Sequence, residues 1–330
     1  MNSFFDPDEH FILMDINTIE EKLMTPDDLK AFRDAGIRTA EGFQLNWDWV
    51  EPEKGVYNWR YLDDYVERVL GCGMKAILKC YTFGPPWLPD AWCVKIASGI
   101  AHGCVSPFNE EAVGYALEFY KKVRDRYNQP GKVLVFNSWF SNGETMFSNE
   151  PAWFDDAAIA SYQKMYGADA RPEVGNPLSE AWLKKTLIDF MVAQTQILGE
   201  NETKEVHTCL HPAIADFPGL YGNGNAWIED LIAEYHRLGF VTHHLYYTWI
   251  QWGYLWGKMR EWARKYNEQM WGGAEGAQNV MTTTPFAIEN GLRGLYIGPL
   301  HPFYQYKHAE GWMLENIRKA NDRWERSTPR

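Results

Sequence analysis

The sequence predicts an α/β fold, and specifically a single (β/α)8 barrel over residues 1–330. Short apolar runs alternate with amphipathic segments along the whole chain, which is typical of βαβ units with a parallel sheet. Eight pairs of a strand and a following helix can be read from the sequence, the number that a (β/α)8 barrel contains. No linker or low-complexity tract divides the chain, and one barrel accommodates about 250 residues or more.

In the first half of the chain, the helix at 26–35 has the clearest boundaries. Thr25 is suited to the N-cap, Pro26 to the first helical position, and Gly36 to the end of the helix. The predicted strands of this half are 10–16, 37–45, 74–81 and 133–139, and the other predicted helices are 59–70 and 109–127. The residues between the third strand and its helix, 82–107, are predicted as a long loop.

In the second half, a long stretch at 141–176 precedes a helix at 178–198. The remaining strands are predicted at 205–210, 240–247, 269–274 and 292–297, and the helices that follow them at 226–238, 252–266, 284–290 and 308–325. In such a barrel the catalytic residues lie at the C-terminal ends of the strands and in the loops after them. The predicted strand ends therefore select the candidate site residues.

Composition and charge narrow the possible function classes. Hydrophobic residues make up 45% of the chain and charged residues 23%, which allows a large core. The net charge of −12 argues against a nucleic-acid partner, which requires a basic surface. The apolar runs are all shorter than the roughly 18–20 residues of a membrane span, and residues 1–10 lack the features of a signal peptide. We therefore expect a cytoplasmic protein without a membrane partner.

Metal and redox chemistry find little support in the sequence. The five cysteines form no CxxC pair, and we interpret them as reduced core thiols. A disulfide or a metal contact at Cys93 and Cys104, which share the predicted loop, is the alternative. The histidines at 211, 243, 244 and 301 could together hold zinc, but none has a ligand spacing such as HExxH. No cofactor is expected.

Aromatic residues are 15% of the chain and include 16 tryptophans. Packing between helices and sheet accounts for many of them. Sugar recognition is the functional alternative, because the apolar face of a pyranose stacks on an indole ring. Trp47, Trp87 and Trp249 each follow a predicted strand, so we expect them to line a sugar cleft. A carbohydrate is accordingly the expected partner.

Two glutamates lie where a glycosidase needs them. Hydrolysis of a glycoside uses one carboxyl group to protonate the leaving oxygen and a second carboxylate facing the anomeric carbon. Glu144 follows the fourth predicted strand and Glu275 the seventh, and these strands lie nearly opposite each other in an eightfold barrel. A solvated loop glutamate is the alternative for each, and Glu150 replaces Glu144 if the register differs. Glu51 and Glu53 are interpreted as turn residues.

The other candidates are polar and aromatic residues that follow the predicted strands. The predicted substrate-binding residues are Trp47, Asp48, Trp87, Trp139, Asn142, His244, Tyr246, Trp249, Gln278 and His301. Residues alternate along a strand, so His244 and Tyr246 share one face of the sixth strand, and His243 and Leu245 share the other. We assign His244 and Tyr246 to the barrel mouth, with a histidine buried in the core as the alternative.

These residues together resemble clan A glycoside hydrolases, and within that clan the family 42 β-galactosidases. The resemblance rests on 35–59 with Trp47-Asp48-Trp49-Val50-Glu51-Pro52-Glu53-Lys54-Gly55, on Gly84-Pro85-Pro86-Trp87-Leu88, on Val105-Ser106-Pro107, on Tyr166-Gly167 and on 176–182. It implies a barrel that cleaves a β-linked sugar such as a β-galactoside. In this resemblance Glu144 matches the general acid/base after the fourth strand, and Glu275 matches the nucleophile after the seventh.

The chain departs from the family pattern in three places of the barrel, one of them the eighth strand, which reads Tyr296-Ile297-Gly298-Pro299-Leu300-His301 without the expected tryptophan. Its fourth-strand motif is Asn142-Gly143-Glu144, with a glycine where the family has asparagine and glutamate adjacent. Where the family carries an arginine inside the second strand, this chain has Glu41. If the strand keeps its register, Glu41 lies inside the barrel, where a lone carboxylate is costly. We expect an ion pair with Lys79 on the neighbouring strand, and a sugar contact is the alternative.

The sequence therefore predicts a retaining glycoside hydrolase that uses two glutamates. One alternative is a barrel that binds carbohydrate without catalysis. The altered strand-four motif and Glu41 support this alternative. The other is an inverting hydrolase similar to β-amylase. The separation of the two carboxyl groups distinguishes the mechanisms, at about 5–5.5 Å for retaining and about 6.5–9.5 Å for inverting enzymes.

Overall fold

The computed structural model of the chain describes most of its length. The described residues are 4–14, 24–45, 47–80, 84–138, 151–199, 205–210, 227–246, 253–274, 276–298 and 308–327. None of the helices in these ranges combines the length and hydropathy that a membrane span requires.

Eight parallel strands pair edge to edge in a closed ring within the described ranges. In chain order they are β1 (Phe11–Leu13), β2 (Thr39–Leu45), β3 (Lys75–Cys80), β6 (Val133–Ser138), β7 (Glu205–Leu210), β8 (Val241–Tyr246), β9 (Gln269–Gly273) and β10 (Gly294–Ile297). Each lies next to its neighbour in that order, and β1 closes the ring by pairing with both β2 and β10. Every predicted strand overlaps one of these, so the predicted α/β class is confirmed.

A helix follows each barrel strand in the described ranges. The helices that the sequence predicts are α1 (Pro26–Asp34), α3 (Arg60–Gly71), α4 (Glu110–Tyr127), α6 (Pro177–Leu198), α7 (Ile228–Arg237), α8 (Gly253–Tyr266), α9 (Val280–Glu289) and α10 (Gly311–Ser327). The predicted start of α1 is confirmed, because the Thr25 side chain accepts a hydrogen bond from the Asp28 amide at 3.2 Å. A side-chain oxygen at this position satisfies one of the amides that a helix leaves unpaired at its first turn.

The connections after the second, third and fourth barrel strands contain secondary structure that the sequence pattern does not predict. A short helix, α2 (Trp47–Val50), directly follows the second barrel strand. The segment after the third strand contains an antiparallel hairpin of β4 (Cys93–Lys95) and β5 (Ala101–Val105). A further helix, α5 (Asp156–Tyr166), lies in the stretch before α6. All three connect barrel strands to their helices on the side where the strands end.

The core has two layers separated by the wall of the barrel. The inner cluster joins residues of β9, β10 and β1 to residues of β3 and β6, which lie elsewhere in the ring, and so it fills the interior: Phe4, Phe5, Ile12, Met14, Ile77, Leu134, Trp271 and Tyr296. The outer layer lies between strands and helices and includes Ala76 and Leu78, the neighbours of Ile77. Alternation along β3 therefore separates the two layers. Each large apolar side chain buried here contributes about 1.5–3 kcal/mol.

The N-terminal segment closes the floor of the barrel, at the end where the strands begin. Phe5 packs against the His243 and Trp271 rings at 4.7 and 4.8 Å. Lys75, the first residue of β3, donates to the Phe4 carbonyl at 2.7 Å and to Glu9 at 3.1 Å. The described side chains of this segment therefore fill the barrel at the end where its strands begin.

The cysteines in the described ranges support the sequence interpretation. Cys72, Cys93 and Cys104 are buried free thiols, and burial raises the pKa of the Cys93 thiol. The alternative of a disulfide between Cys93 and Cys104 is therefore wrong, although both lie in the β4–β5 hairpin. The side chains of Cys80 and Cys209 lie outside the described ones.

Candidate active site

The predicted site residues divide into those that the structure describes and those that lie outside the described residues. Trp47, Asp48, Trp87 and Gln278 are described with their side chains, and His244 and Tyr246 by their backbone. The proposed catalytic residues Glu144 and Glu275 lie outside the described residues, as do Trp139, Asn142, Trp249 and His301. The geometry of the site is therefore built from the loops that follow the second, third and seventh barrel strands.

A hydrogen-bonded group around Glu51 organises the loop after the second barrel strand. Its carboxylate Oε2 accepts from Trp47 Nε1 at 2.7 Å, and Oε1 accepts from the Gly55 amide at 2.7 Å. The Tyr115 hydroxyl on α4 donates to the same Oε1. The Glu51 carbonyl accepts from Trp87 Nε1 at 2.7 Å. These five residues form the Glu51 cluster, which joins two loops at the barrel mouth to a helix.

Local sequence explains why the chain folds this way at Glu51. The short helix α2 brings Trp47 and Glu51 onto one face, since residues four apart are neighbours on a helix. Gly55 has a φ of 82°, in the left-handed region where glycine costs least, and this turn aims its amide back at the carboxylate. Glu51 is fully buried. The expectation of a turn residue is confirmed for Glu51, but its contacts reach well beyond the turn.

Trp47 does not line a cleft in this structure, which corrects the sequence-based expectation. Its side chain is only 1% exposed. The indole stacks on Phe119 at 4.6 Å and on Tyr115 at 6.1 Å, and it meets the edge of Trp87 at 6.4 Å. The ring is surrounded by protein, so no face is left for a sugar. Trp47 is a core residue that holds the Glu51 carboxylate.

Trp87 is placed differently from Trp47. It is half-buried, packs edge-on against Trp47 and Tyr115, and uses its indole N–H on the Glu51 carbonyl. Part of the ring therefore remains accessible on the loop after the third strand. Asp48 is also half-buried, in the first turn of α2. Both stay candidates for contact with a ligand.

The loop after the seventh barrel strand is built from small residues. The Ala274 amide donates to the Tyr296 carbonyl at 2.8 Å, so the strand pairing continues one residue beyond β9. Ala274, Gly276 and Ala277 are buried, whereas Gln278 is exposed. A Cβ built on Gly276 would lie 2.6 Å from the Gln278 amide nitrogen, so glycine lets these two positions approach closely. Residue 275 thus follows the end of the seventh strand directly.

In β8 the register places His243 inside the barrel. His243 is 1% exposed, and Trp271 Nε1 lies 3.5 Å from its Nδ1. His244 and Tyr246 take the register positions of Met270 and Gly272, and their side chains lie outside the described ones. Their assignment to the barrel mouth therefore stays a prediction, and the alternative of a buried histidine applies to His243.

Glu41 keeps the predicted register inside the barrel. It pairs with Ile77, a member of the inner cluster, and is 1% exposed. Its charge raises the pKa of Tyr65, which burial already raises well above its ordinary value. Lys79, the expected partner, stands two positions after Ile77 on β3, and its side chain lies outside the described ones. The place of Glu41 is confirmed, and its expected pairing stays a prediction.

Tyr115 and Tyr57 are the residues near this site that sequence reasoning missed. Burial raises the pKa of the Tyr115 phenol, and its hydrogen bond to Glu51 raises it further. Burial, together with the charge of Glu51, raises the pKa of Tyr57 to about 12. Both phenols therefore stay protonated as donors at neutral pH. Tyr115 lies 64 residues from Glu51 in the chain, and no local pattern signals a contact over that distance.

Comparison with known proteins identifies relatives in sequence and in fold. The model of glycoside hydrolase family 42, described as β-galactosidase, matches residues 18–102. The β-galactosidase Bga of Halorubrum lacusprofundi is 36% identical over 64 residues, which are 19% of this chain and 9% of that protein. The matching segment is thus a small part of the curated relative.

Solved structures match over almost the whole chain. The catalytic domain of the β-amylase from Paenibacillus polymyxa aligns with a TM-score of 0.73 at 12% identity, covering 98% of this chain and 99% of that domain. The β-galactosidase of Marinomonas ef1 aligns with a TM-score of 0.69 at 12% identity, covering 96% of this chain and 59% of that one. At this identity the likeness establishes the fold alone. In sequence over residues 18–102 the chain resembles glycoside hydrolase family 42, and in fold it resembles β-galactosidase and β-amylase structures.

Proposed function

We propose that the whole chain is one (β/α)8 catalytic domain and a retaining glycoside hydrolase that cleaves a β-linked sugar. β-Galactosides are the first substrates to test, because the matching family model and the curated relatives carry that name. Glu275 is the nucleophile and Glu144 the general acid/base. No cofactor is needed for this chemistry, since two carboxyl groups and water suffice.

The observation that supports the proposal is the end of the seventh strand of a closed barrel at Ala274, the residue directly before Glu275 in the sequence. Ala274 extends the pairing of β9 by one bond to Tyr296, so Glu275 is the first residue after the seventh strand. Glu144 follows β6, the fourth barrel strand, by six residues. In the ring order β7 and β8 separate β6 from β9, which supports two carboxylates that face a sugar from opposite sides.

In this mechanism the two glutamates exchange roles between two steps. The Glu275 carboxylate attacks the anomeric carbon while Glu144 gives its proton to the leaving oxygen, and a glycosyl–enzyme ester forms. Glu144 then removes a proton from water, which attacks the anomeric carbon and releases Glu275. The half-buried Trp87 supplies an apolar ring at the rim of this cleft, and Asp48 supplies a carboxylate for a sugar hydroxyl.

The test is a screen of aryl β-glycosides with two variants. Glu275→Ala should reduce turnover by several orders of magnitude, and azide should partly restore it by replacing the missing nucleophile. Glu144→Gln should reduce turnover most for substrates with poor leaving groups, because these need the proton. Wild-type activity of Glu275→Ala, or an equal effect of Glu144→Gln on good and poor leaving groups, would contradict the assignments.

A second candidate is an inverting hydrolase. The observation that favours it is the β-amylase catalytic domain, which this chain covers to 99% with a TM-score of 0.73. The two candidates differ in the anomer that is released first, which proton NMR of the fresh reaction mixture detects. Release of the β-anomer from a β-glycoside supports retention, and release of the α-anomer supports inversion. A glycan array that detects binding by a chain without hydrolysis would support a carbohydrate-binding barrel instead.

A further inference from the structure

The β4–β5 hairpin forms a small sheet with a distant part of the chain. Ile96 pairs with Ala152 in an antiparallel bridge. The Ala97 amide donates to the Pro151 carbonyl at 2.9 Å, and the Phe154 amide donates to the Lys95 carbonyl at 2.9 Å. The hairpin thus holds residues 151–154, which follow the fourth-strand loop 139–150 in the chain. We call residues 151–155 the loop anchor.

The conformation of the loop anchor is set by its surroundings. Trp153 has a φ of 73°, in the left-handed region that is rare for a bulky side chain. It persists because Ala152 and Trp153 are fully buried in the outer core. Local sequence preference alone would not select this backbone, so packing against the hairpin must over-determine it.

Asp155 locks the anchor to the end of the hairpin. Its Oδ1 accepts from the Ser106 hydroxyl at 2.9 Å and from the Ala158 amide at 3.0 Å. Asp155 is 1% exposed and Ser106 is fully buried. One oxygen therefore both caps α5 and ties it to the residue that follows β5. Burial raises the pKa of Asp155, so a neutral side chain is better tolerated here than in solution. Asparagine, which is neutral and of similar shape, is therefore a close substitute.

The described residues on either side of 139–150 are held by hydrogen-bonded pairing. Before this segment, Ser138 pairs with Cys209 in the barrel wall. After it, Pro151 and Ala152 are bonded to the hairpin. The 12 residues between them, 139–150, contain Asn142 and Glu144. Fixing both ends of so short a segment limits the positions that any residue within it can take.

We propose that Asp155 is a positioning residue that, through Ser106 and the β4–β5 hairpin, sets where the loop carrying Glu144 stands at the barrel mouth. The role of Glu144 in this proposal rests on the proposed function. The anchoring by Asp155 is independent of that function. Asp155 acts at a distance from the sugar, and its removal displaces the acid without removing it.

The test compares Asp155→Ala with Asn176→Ala. Asn176 caps α6 with a side-chain bond to the Leu178 amide at 2.9 Å, so both variants lose an N-cap. Asn176 lies outside the anchor and the proposed site. Asp155→Asn is the conservative variant, because its amide oxygen can keep both bonds. Ser106→Ala is the milder version, because it leaves the cap of α5 in place.

Two measurements test the role of Asp155. Hydrogen–deuterium exchange of peptides covering 139–150 should accelerate in Asp155→Ala and stay at the wild-type rate in Asn176→Ala. Against an aryl glycoside with a poor leaving group, Asp155→Ala should lose about 10- to 100-fold in kcat/KM, the scale of a misplaced catalytic group. The loss should be smaller with a good leaving group, because that substrate needs no proton. Asp155→Asn should restore both readouts.

The outcomes separate the two proposals. If Glu144→Gln is fully active, the acid assignment fails, and the exchange readout alone judges the anchor. The anchor inference is overturned if the hydrogen–deuterium exchange of residues 139–150 in Asp155→Ala matches that of the wild type. It is also overturned if Asp155→Ala and Asn176→Ala lose the same factor in kcat/KM on both substrates. Should Asp155→Ala not fold, Ser106→Ala gives the same comparison with the cap intact.

Discussion

Removing the Glu51 carboxylate should destabilise the fold and loosen two loops of the barrel mouth together. Glu51→Gln keeps one oxygen for the Gly55 amide and the Tyr115 hydroxyl, which both use Oε1. It then turns an amide NH2 toward Trp47 Nε1, which now donates to Oε2 at 2.7 Å. Two donors cannot satisfy each other, so the Trp47 N–H is left without an acceptor in a buried site.

The magnitude follows from the bonds and their burial. Each donor left unsatisfied in the interior costs about 1–3 kcal/mol, so Glu51→Gln should cost about that much. Glu51→Ala removes the acceptor for three donors, and we expect about 3–9 kcal/mol. With an unfolding entropy of about 2.1 cal/mol/K per residue, this lowers the Tm of a chain of this length by about 4–13 °C.

Calorimetry or circular dichroism measures the effect on Tm, and kinetics measures the effect on the site. Glu53→Gln is the matched control, because Glu53 lies in the same turn and is exposed. Tyr115→Phe, which removes a single donor, should fall between the control and Glu51→Ala. We also expect KM to rise in Glu51→Ala, since the residue 51 carbonyl that accepts from Trp87 Nε1 is then no longer held in place by the bonds of the carboxylate. If the Tm of Glu51→Ala lies within about 1 °C of the Tm of Glu53→Gln, this reasoning is refuted.

Two further predictions use neighbouring residues as controls. Trp47→Ala should lower the free energy of unfolding by about 3–5 kcal/mol, as a core deletion does, and leave KM nearly unchanged. Trp87→Ala should raise KM about fivefold, which is equivalent to one aromatic contact of about 1 kcal/mol. The reverse pattern in melting curves and Michaelis curves would exchange their roles. Burial opposes ionisation of Asp28, but hydrogen bonds from Thr25, Ala309 and His308 prevail and lower its pKa. Its stabilisation is therefore complete above the pKa of an unfolded aspartate, about 4, and is lost as the pH falls through the lower folded value. Acid titrations of stability should show a smaller loss in Asp28→Asn than in the wild type, and Asp27→Asn, whose side chain is 97% exposed, should titrate like the wild type.

The parts of the fold that sequence predicts are those fixed by local chemistry. Thr25 and Pro26 define the start of α1, and Asn109 caps α4 at the predicted place with a bond to the Ala112 amide. Barrel strands are recognisable because buried parallel strands are short apolar runs between helices. A strand followed by a helix repeats from one unit to the next, so local patterns suffice to predict the order of these elements.

The parts that sequence does not predict depend on contacts between distant residues. The β4–β5 hairpin is stabilised by Ala152 and Pro151, about fifty residues later, and its strands are too short to show alternation. Trp47 and Trp87 both follow barrel strands, yet only the packing of α4 decides that Trp47 is enclosed. In β8 the alternation gives two faces, and the choice between them needs the partners of His243 inside the ring.

The extent of the sequence match has a physical reason in the Glu51 cluster. Fold similarity to the solved structures spans 96–98% of the chain at 12% identity, since a barrel wall needs only apolar residues in alternation. Sequence similarity to the family concentrates in residues 18–102, the segment that contains Trp47, Glu51, Gly55 and Trp87. There, a buried carboxylate needs donors of particular kinds at particular places, and a glycine with a positive φ. Apolar positions tolerate exchange, whereas a satisfied buried polar group does not. The Glu51 cluster thus lies mostly within the matched segment, in loops that border the proposed site, and the same loops carry Trp87 and Asp48, the residues proposed to contact a sugar.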